Sequence, residues 1–467
     1  MHINSNHRIF FLIAFPIFVI SGCRKDENVK SAAVKPEKRI IEFFGSNNSV
    51  NRPAVIKLSK DTVYILDSDI TRESGEQLII EQGTVIKAGE RNPSNPGSAD
   101  PGRGSLTIRP GGVLIANGTE AEPIIFTSNT MAGSQRINWG GVIIEGKAPN
   151  NDRTATGVPT DFSCSIRFLR VEFAALTLRS VGNTSLVENV MVSYTDKNGI
   201  SAFNISGGTF NAKNLVSFAC SGPADYYITN GYTGKLQHLL AMRHPFFGNM
   251  GSQPQRALAS LFIENNPSNP VNARPFTFPQ ISNLTAVGPN GQNGSVSSYA
   301  DTNIRVASIV TTNSTCFSIR NSVFLGFPAK AWILDDVNTA LAIVDSRSVM
   351  SYSYFHSLDT SKTLFLAQGV YPPFGSSDFK GYVLSPAFNN KLLPQIQSLL
   401  LPDIFVYNKP AFLPGVGSPL LTGANFSGDF SAAFYDKVSH VGAFGSQSWT
   451  NGWTNFTPLK TNYNFSL

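Results

Sequence analysis

Between residues 166 and 243 one short apolar motif comes round four times: Arg170-Val171-Glu172-Phe173, Met191-Val192-Ser193-Tyr194, Leu215-Val216-Ser217-Phe218 and Leu239-Leu240-Ala241-Met242. With Val171, Val192, Val216 and Leu240 as equivalent points, the steps are 21, 24 and 24 residues. A strand that returns at so even an interval, with Gly and Asn between, is what a solenoid looks like in sequence. One turn of such a chain has too little surface to bury a core. Stacked turns share one, each touching only its neighbours. A chain of 467 residues would otherwise be expected to split into two or three domains. Charged residues make up only 15%, while Gly (39) and Phe (34) are plentiful. That balance suits an all-β chain with tight corners and stacked rings, and it excludes a disordered or coiled-coil chain.

In chain order, strands are expected from Thr62 to Leu66, Gln77 to Ile80, Gly83 to Lys87, Ser105 to Ile108, Gly112 to Ile115 and Pro123 to Thr127. Trp139-Gly-Gly-Val-Ile-Ile144 follows, its paired glycines marking a close approach or a bend. Residues 264 to 303, rich in Asn, Pro, Gly and Ser around a strand near Ile281 to Val287, read as long side loops. After Asp335-Asp336 the pattern loosens, and Lys391 to Leu401 has helical spacing interrupted by Pro394.

Several of these stretches carry a family resemblance. Leu78-Ile-Ile-Glu-Gln-Gly-Thr-Val-Ile-Lys87, Gly111-Gly-Val-Leu-Ile-Ala-Asn-Gly-Thr119, Trp139-Gly-Gly-Val-Ile-Ile-Glu-Gly-Lys-Ala148, Gly207-Gly-Thr-Phe-Asn-Ala-Lys-Asn-Leu-Val-Ser217 and Gly231-Tyr-Thr-Gly-Lys-Leu-Gln237 resemble the rungs of right-handed parallel β-helix proteins, a pectate-lyase-like fold abundant on Bacteroidetes cell surfaces. The likeness covers about 60 to 340 and 415 to 458. It implies an all-β, right-handed, single-stranded parallel β-helix with long side loops and a C-terminal cap. It implies no particular activity. The expected division is a signal peptide (1–22), a lipidated tether (23–58), the β-helix (59–340), an irregular, partly helical insertion (341–415), and C-terminal rungs with a cap (416–467).

The N-terminus speaks to location. His7 and Arg8 precede an apolar run from Ile9 to Ile20, too short to span a bilayer and suited to a signal h-region. Ile20-Ser-Gly-Cys23 resembles the lipobox of bacterial lipoproteins, which implies cleavage before Cys23 and acylation of that residue. Lys25-Asp26-Glu27 resembles the signal that sends Bacteroidetes lipoproteins to the outer face of the outer membrane. The expected partners are therefore the outer membrane through a lipid anchor, a polysaccharide, and an outer-membrane transporter. The net charge of +6 is scattered, with no arginine cluster or nucleic-acid module, so nucleic acid is not an expected partner. Cys164, Cys220 and Cys316 suit neither zinc nor a redox pair. They read as small buried hydrophobes, with one disulfide left open.

Polymer-cleaving enzymes share this fold, and the polygalacturonases among them look like Asn-Thr-Asp, then Asp-Asp, then Gly-His-Gly, then Arg-Ile-Lys on successive rungs. Asp335-Asp336 is the sole Asp-Asp pair, and no Gly-His-Gly or Arg-Ile-Lys accompanies it. Calcium needs six to eight oxygens, several from carboxylates. The central rungs offer only Glu172, Glu188, Asp196, Asp225 and Glu264, spread over nearly a hundred residues. The resemblance implies acid-rich stretches before Gly231 and near Glu264. Here each keeps a single acid, Asp225 and Glu264. His238 and His244 lack a third ligand. No metal or cofactor is expected. The candidate binding residues are Asp225, Tyr226, Tyr227, Tyr232 and Glu264, aromatic faces with polar tips that suit sugar stacking, with plain core packing as the competing reading. The expected function is non-catalytic binding or presentation of an extracellular glycan. The alternatives are a lyase or hydrolase with an unfamiliar site, and a structural or adhesive accessory of an outer-membrane complex.

Overall fold

The computed structural model describes residues 39–42, 53–66, 68–88, 104–129, 131–132, 135–136, 139–153, 156–195, 200–244, 258–289, 306–328, 330–367, 370–371 and 374–464. Among these, the apolar motifs form strands that pair with the turn before and the turn after. They build one sheet of seventeen strands and one of ten, both parallel. The fold is a parallel β-helix. Val, Ile and Leu at alternate positions point inward from both sheets and form one continuous core that includes Ile144, Val171, Val192, Leu215, Leu239 and Leu284.

The longest strands bend midway. Cys164–Glu172, Leu186–Ser193, Asn211–Phe218, Lys235–Met242 and Gln280–Val287 each place one residue in the left-handed region, at Phe168, Asn189, Asn214, His238 and Asn283, with φ between 45° and 58°. The register stacks these five in one column and continues it through Asn321, Tyr352 and Asn389. Asn recurs there because its short polar side chain tolerates this conformation better than other L-residues.

The register also corrects the repeat. Val171 pairs with Val192, but Val192 pairs with Ser217, and Val216 faces Met191. Through Val171, Val192, Ser217 and Ala241 the steps are 21, 25 and 24. Val171 and Val192 belong to the inner core, whereas Val216 and Leu240 belong to a second apolar cluster on the outside of the long sheet. A slip of one residue turns a strand over. Here the slip was invisible in sequence because both faces are apolar.

The C-terminal segment explains that second face. No strand lies within residues 416–464. Instead of rungs and a cap on an open end, this segment is a strap along the outside of the long sheet, running back towards the first turns. Asn425 bonds with Asn321, the carbonyls of His440 and Gly442 accept from Asn283, and Ala443 N–H donates to Thr285. Further on, Trp453 meets Phe168, Phe456 meets Phe218, Tyr463 donates to Glu172 and Asn464 accepts from Lys87. The strap, together with Leu393, Leu399, Leu401, Ile404 and Phe412 ahead of it, packs in one cluster with Met191, Val216, Phe218, Leu240, Met242, Val287, Val323 and Leu325.

Regular structure reaches past both expected limits of the helix. Arg39–Glu42 and Val55–Leu58, assigned above to the tether, are strands of the long sheet, paired in parallel with residues 62–65 and 77–80. Val349–Ser351, Tyr354–Ser357, Leu364–Leu366 and Lys391–Leu392 continue the pairing beyond residue 340. Helix α1 (Val337–Val344) starts on the N-cap Asp336, which accepts from the N–H groups of Asn338 and Thr339. Helix α2 (Ser376–Val383) sets Phe379 edge-on to Trp332 at 5.1 Å and closes the core beside the last strand of the ten-stranded sheet. Among the described residues no helix is long and apolar enough to cross a membrane. Cys164, Cys220 and Cys316 are buried free thiols, and burial pushes Cys164 up to about 12. Cys23, Lys25, Asp26, Glu27 and Asp196 lie outside the described residues.

Candidate functional site

Three of the expected binding residues are inside the protein. Asp225, Tyr226 and Tyr232 are fully buried, so none can meet a sugar. Tyr226 stacks on Phe203 at 5.0 Å and donates across the core to the carbonyls of Leu215 and Leu240. Tyr232 donates to the Phe210 carbonyl. Asp225 accepts from Ser217 at 2.7 Å and from Arg243 Nε at 3.1 Å, while Arg243 also donates to the carbonyls of Gly222 and Ala259. Burial pushes the Asp225 carboxyl up, and Arg243 and Ser217 oppose it. This isolated acid is a structural ion pair.

The outward surface belongs to the ten-stranded sheet, where a five-residue unit recurs. It reads Leu106-Thr-Ile-Arg109-Pro110, Val142-Ile-Ile-Glu145-Gly146, Leu176-Thr-Leu-Arg179-Ser180, Phe203-Asn-Ile-Ser206-Gly207, Tyr226-Tyr-Ile-Thr229-Asn230 and Leu261-Phe-Ile-Glu264-Asn265. The first and third residues of every unit are buried in the core. The second and fourth face out by strand alternation. Ser180, Gly207 and Asn230 turn the corner with φ of 54° to 64°. Glu145 pairs with Arg179, Arg179 with Ser206, and Ser206 with Thr229. Arg109 and Glu264 extend the same row, one residue beyond the paired Ile108–Ile144 and Ile228–Ile263.

Two cavities lie side by side on this row. One, of about 360 Å³, is lined by Pro110, Glu145, Lys147, Arg153, Val158 and Arg179 among others. The next, of about 310 Å³, is lined by Thr177, Arg179, Asn204, Ser206, Tyr227 and Asn230 among others. Arg179 belongs to both. Glu145 is only 5% exposed and holds three guanidinium groups: Arg179 at 2.6 Å and Arg153 at 3.4 Å on Oε1, and Arg109 at 2.9 Å on Oε2. Burial alone would raise its pKa, yet the bonds from Arg109 and Arg179 and the nearby charges hold it below the usual carboxylate range.

Of the expected residues, Tyr227 and Glu264 do meet on this face. The Tyr227 hydroxyl donates to Glu264 Oε1, and Asn313 donates to Oε2 at 2.6 Å. Burial and the Glu264 charge raise the phenol well above its ordinary pKa. Arg109, Glu145, Arg153 and Arg179 escaped the sequence reading, which followed strands returning every 21 to 24 residues. Loops hold these rungs 36 and 34 residues apart. The recurring five-residue unit was the available signal.

The remaining acids are dispersed. Glu172 is enclosed under the strap with Thr127 and Tyr463, Glu188 pairs with Arg167, and Asp336 caps α1. His238 faces Asp436 while His244 lies against Tyr407. Among the described residues no three His, Cys, Asp or Glu come together as a metal site.

Comparison with curated proteins and with solved structures gives no match. A family described as pectate-lyase like beta helix domain matches residues 50–364, about two thirds of the chain, in agreement with the coil of parallel strands. The chain belongs to the family of pectate-lyase like β-helix domains.

Proposed function

We propose that this chain is a lipid-anchored surface protein that holds an extended extracellular glycan along the outer face of the ten-stranded sheet and does not cleave it. The observation that carries this reading is the pair of adjoining cavities that share Arg179. They run across four successive strands and offer guanidinium, amide, hydroxyl and aromatic groups in a line. A polymer laid along the stack meets one such row per rung.

Spacing speaks against hydrolysis. The outward carboxylates Glu145 and Glu264 stand four strands apart in their row, about 19 Å at the usual strand separation. Glycosidase pairs sit about 5 to 9.5 Å apart. The raised phenol of Tyr227, already committed to Glu264, is also a poor base for a lyase. Cys23 with Lys25-Asp26-Glu27 supports the anchor and its outward placement. Multiple acyl chains on one residue anchor stably.

The test is a screen of the full chain in mild detergent against a broad glycan panel, read for binding and for new chain ends. Binding without new ends, weakened by Asn204→Ala and Tyr227→Ala, is the expected result. New chain ends that disappear on Glu145→Gln or Glu264→Gln would overturn the proposal in favour of an enzyme. For the anchor, Cys23→Ala should move the protein from the membrane to the soluble fraction, and unchanged partition would refute lipidation there.

A further inference from the structure

The cavity around Glu145 carries more positive charge than its own structure needs. Lys147, Arg153 and Arg179 line it, Arg109 reaches the lining Glu145 from beside the lining Pro110, and Glu145 is the one carboxylate among its described lining residues. A guanidinium has five N–H donors. Two carboxylate oxygens cannot engage three such groups fully, and the 3.4 Å contact to Arg153 is loose. Arg109 and Arg153 remain about half exposed. Like charges are rarely gathered this way without something to neutralise them. The three guanidiniums also come from three separate pieces of chain: the turn after Ser105–Ile108, the loop after Gly141–Glu145, and the end of Leu176–Arg179. They converge on the two oxygens of Glu145, Arg153 and Arg179 on one and Arg109 on the other. A planar carboxylate presents two oxygens in one plane, whereas a sulfate or phosphate ester presents three around a tetrahedron, one for each guanidinium.

We infer that this cavity binds a tetrahedral oxyanion ester, a sulfate or phosphate carried on a glycan, through Arg109, Arg153 and Arg179, with Lys147 at its rim. The inference rests on the reading that the ten-stranded sheet face holds a glycan, and it names the substituent that the glycan carries. Glu145 is a positioning residue. It gathers the guanidiniums at its two oxygens while no anion is bound, and it competes with the incoming anion.

Dextran and dextran sulfate share a backbone and differ in the ester, so they form the central comparison. Phosphorylated dextran separates phosphate from sulfate, and polygalacturonate supplies planar carboxylates. The full chain should bind dextran sulfate or phosphorylated dextran and bind dextran weakly. The double variant Arg109→Gln with Arg153→Gln should lose about tenfold in affinity for the ester polymer. Lys380→Gln with Lys409→Gln, which removes the same charge from exposed positions away from the cavity, should lose none. Glu145→Gln should bind the ester polymer more tightly, which a merely bracing carboxylate would not produce. The inference is overturned by equal loss in both double variants, by polygalacturonate binding as tightly through the same arginines, by weaker binding in Glu145→Gln, or by no binding of either ester polymer. If neutral glycans from the panel bind while the ester polymers do not, the glycan-binding proposal stands and this inference falls. If nothing binds, both fall.

Discussion

His440 sits where the strap crosses the long sheet, its ring 5.8 Å from that of His238 and tilted by 36°, with its Nδ1 against the Gly442 carbonyl. Asp436, four residues earlier, accepts from Lys213 at 2.7 Å and faces His238 at 3.5 Å. Burial, then the neighbouring His238, push His440 down to about 4. A group whose pKa is lowered by folding stabilises the native state in its unprotonated form. The unfolded chain takes up the proton first, from about pH 6.5 downward, so stability is lost between about pH 6.5 and pH 4. His440→Gln should flatten the denaturation midpoint across that window. Equal pH dependence in the variant and the parent would remove His440 from the account. Asp436 acts in the same direction at lower pH, since the His238 and Lys213 contacts hold its carboxyl below the usual range.

At the scale of elements, the strap makes a double-faced sheet possible. Trp453 is fully buried between Phe168 and Trp449. Trp453→Ala should cost about 3 to 5 kcal/mol in equilibrium denaturation, as large-to-small changes at filled sites do. A loss below about 1 kcal/mol would mean that the strap is held mainly by its hydrogen bonds. The same element shows what could be read from residues alone. Met191-Val192, Leu215-Val216 and Leu239-Leu240 announced strands and their interval, because apolar periodicity is local. They did not reveal the phase, because the strap that makes Val216 outward lies more than two hundred residues away. Asp225 and its tyrosines looked like a site because polar residues beside aromatics read alike whether buried or exposed. Only the turn that brings Arg243 to Asp225 decides which. The Arg109, Glu145 and Arg179 row was present as a repeated five-residue unit, yet its loops of unequal length broke the regular spacing that sequence inspection tracks.

Taken whole, the molecule departs from an ideal solenoid. Stacked repeats alone behave as nearest-neighbour chains and can open from either end. Here the strap ties distant rungs together. Tyr463 bonds Glu172 at a separation of 291 residues, and Asn464 bonds Lys87 at 377. The full chain should therefore unfold in one cooperative step. A version ending after Pro414 should show broadened or multiple transitions and bind a hydrophobic dye, since Val216, Phe218, Leu240 and Met242 lose their cover. A sharp single transition in the shortened chain, with no dye binding, would show that the rungs cooperate without the strap.

This arrangement has a consequence for the order of events in biosynthesis. The rungs emerge first and can coil as they appear, but the segment that seals their outer face is made after them. Until residues 416–464 arrive, the growing chain carries a long apolar stripe and is open to capture by a holding chaperone or to sticking to its own copies. A stop before residue 416 leaves much of that stripe bare.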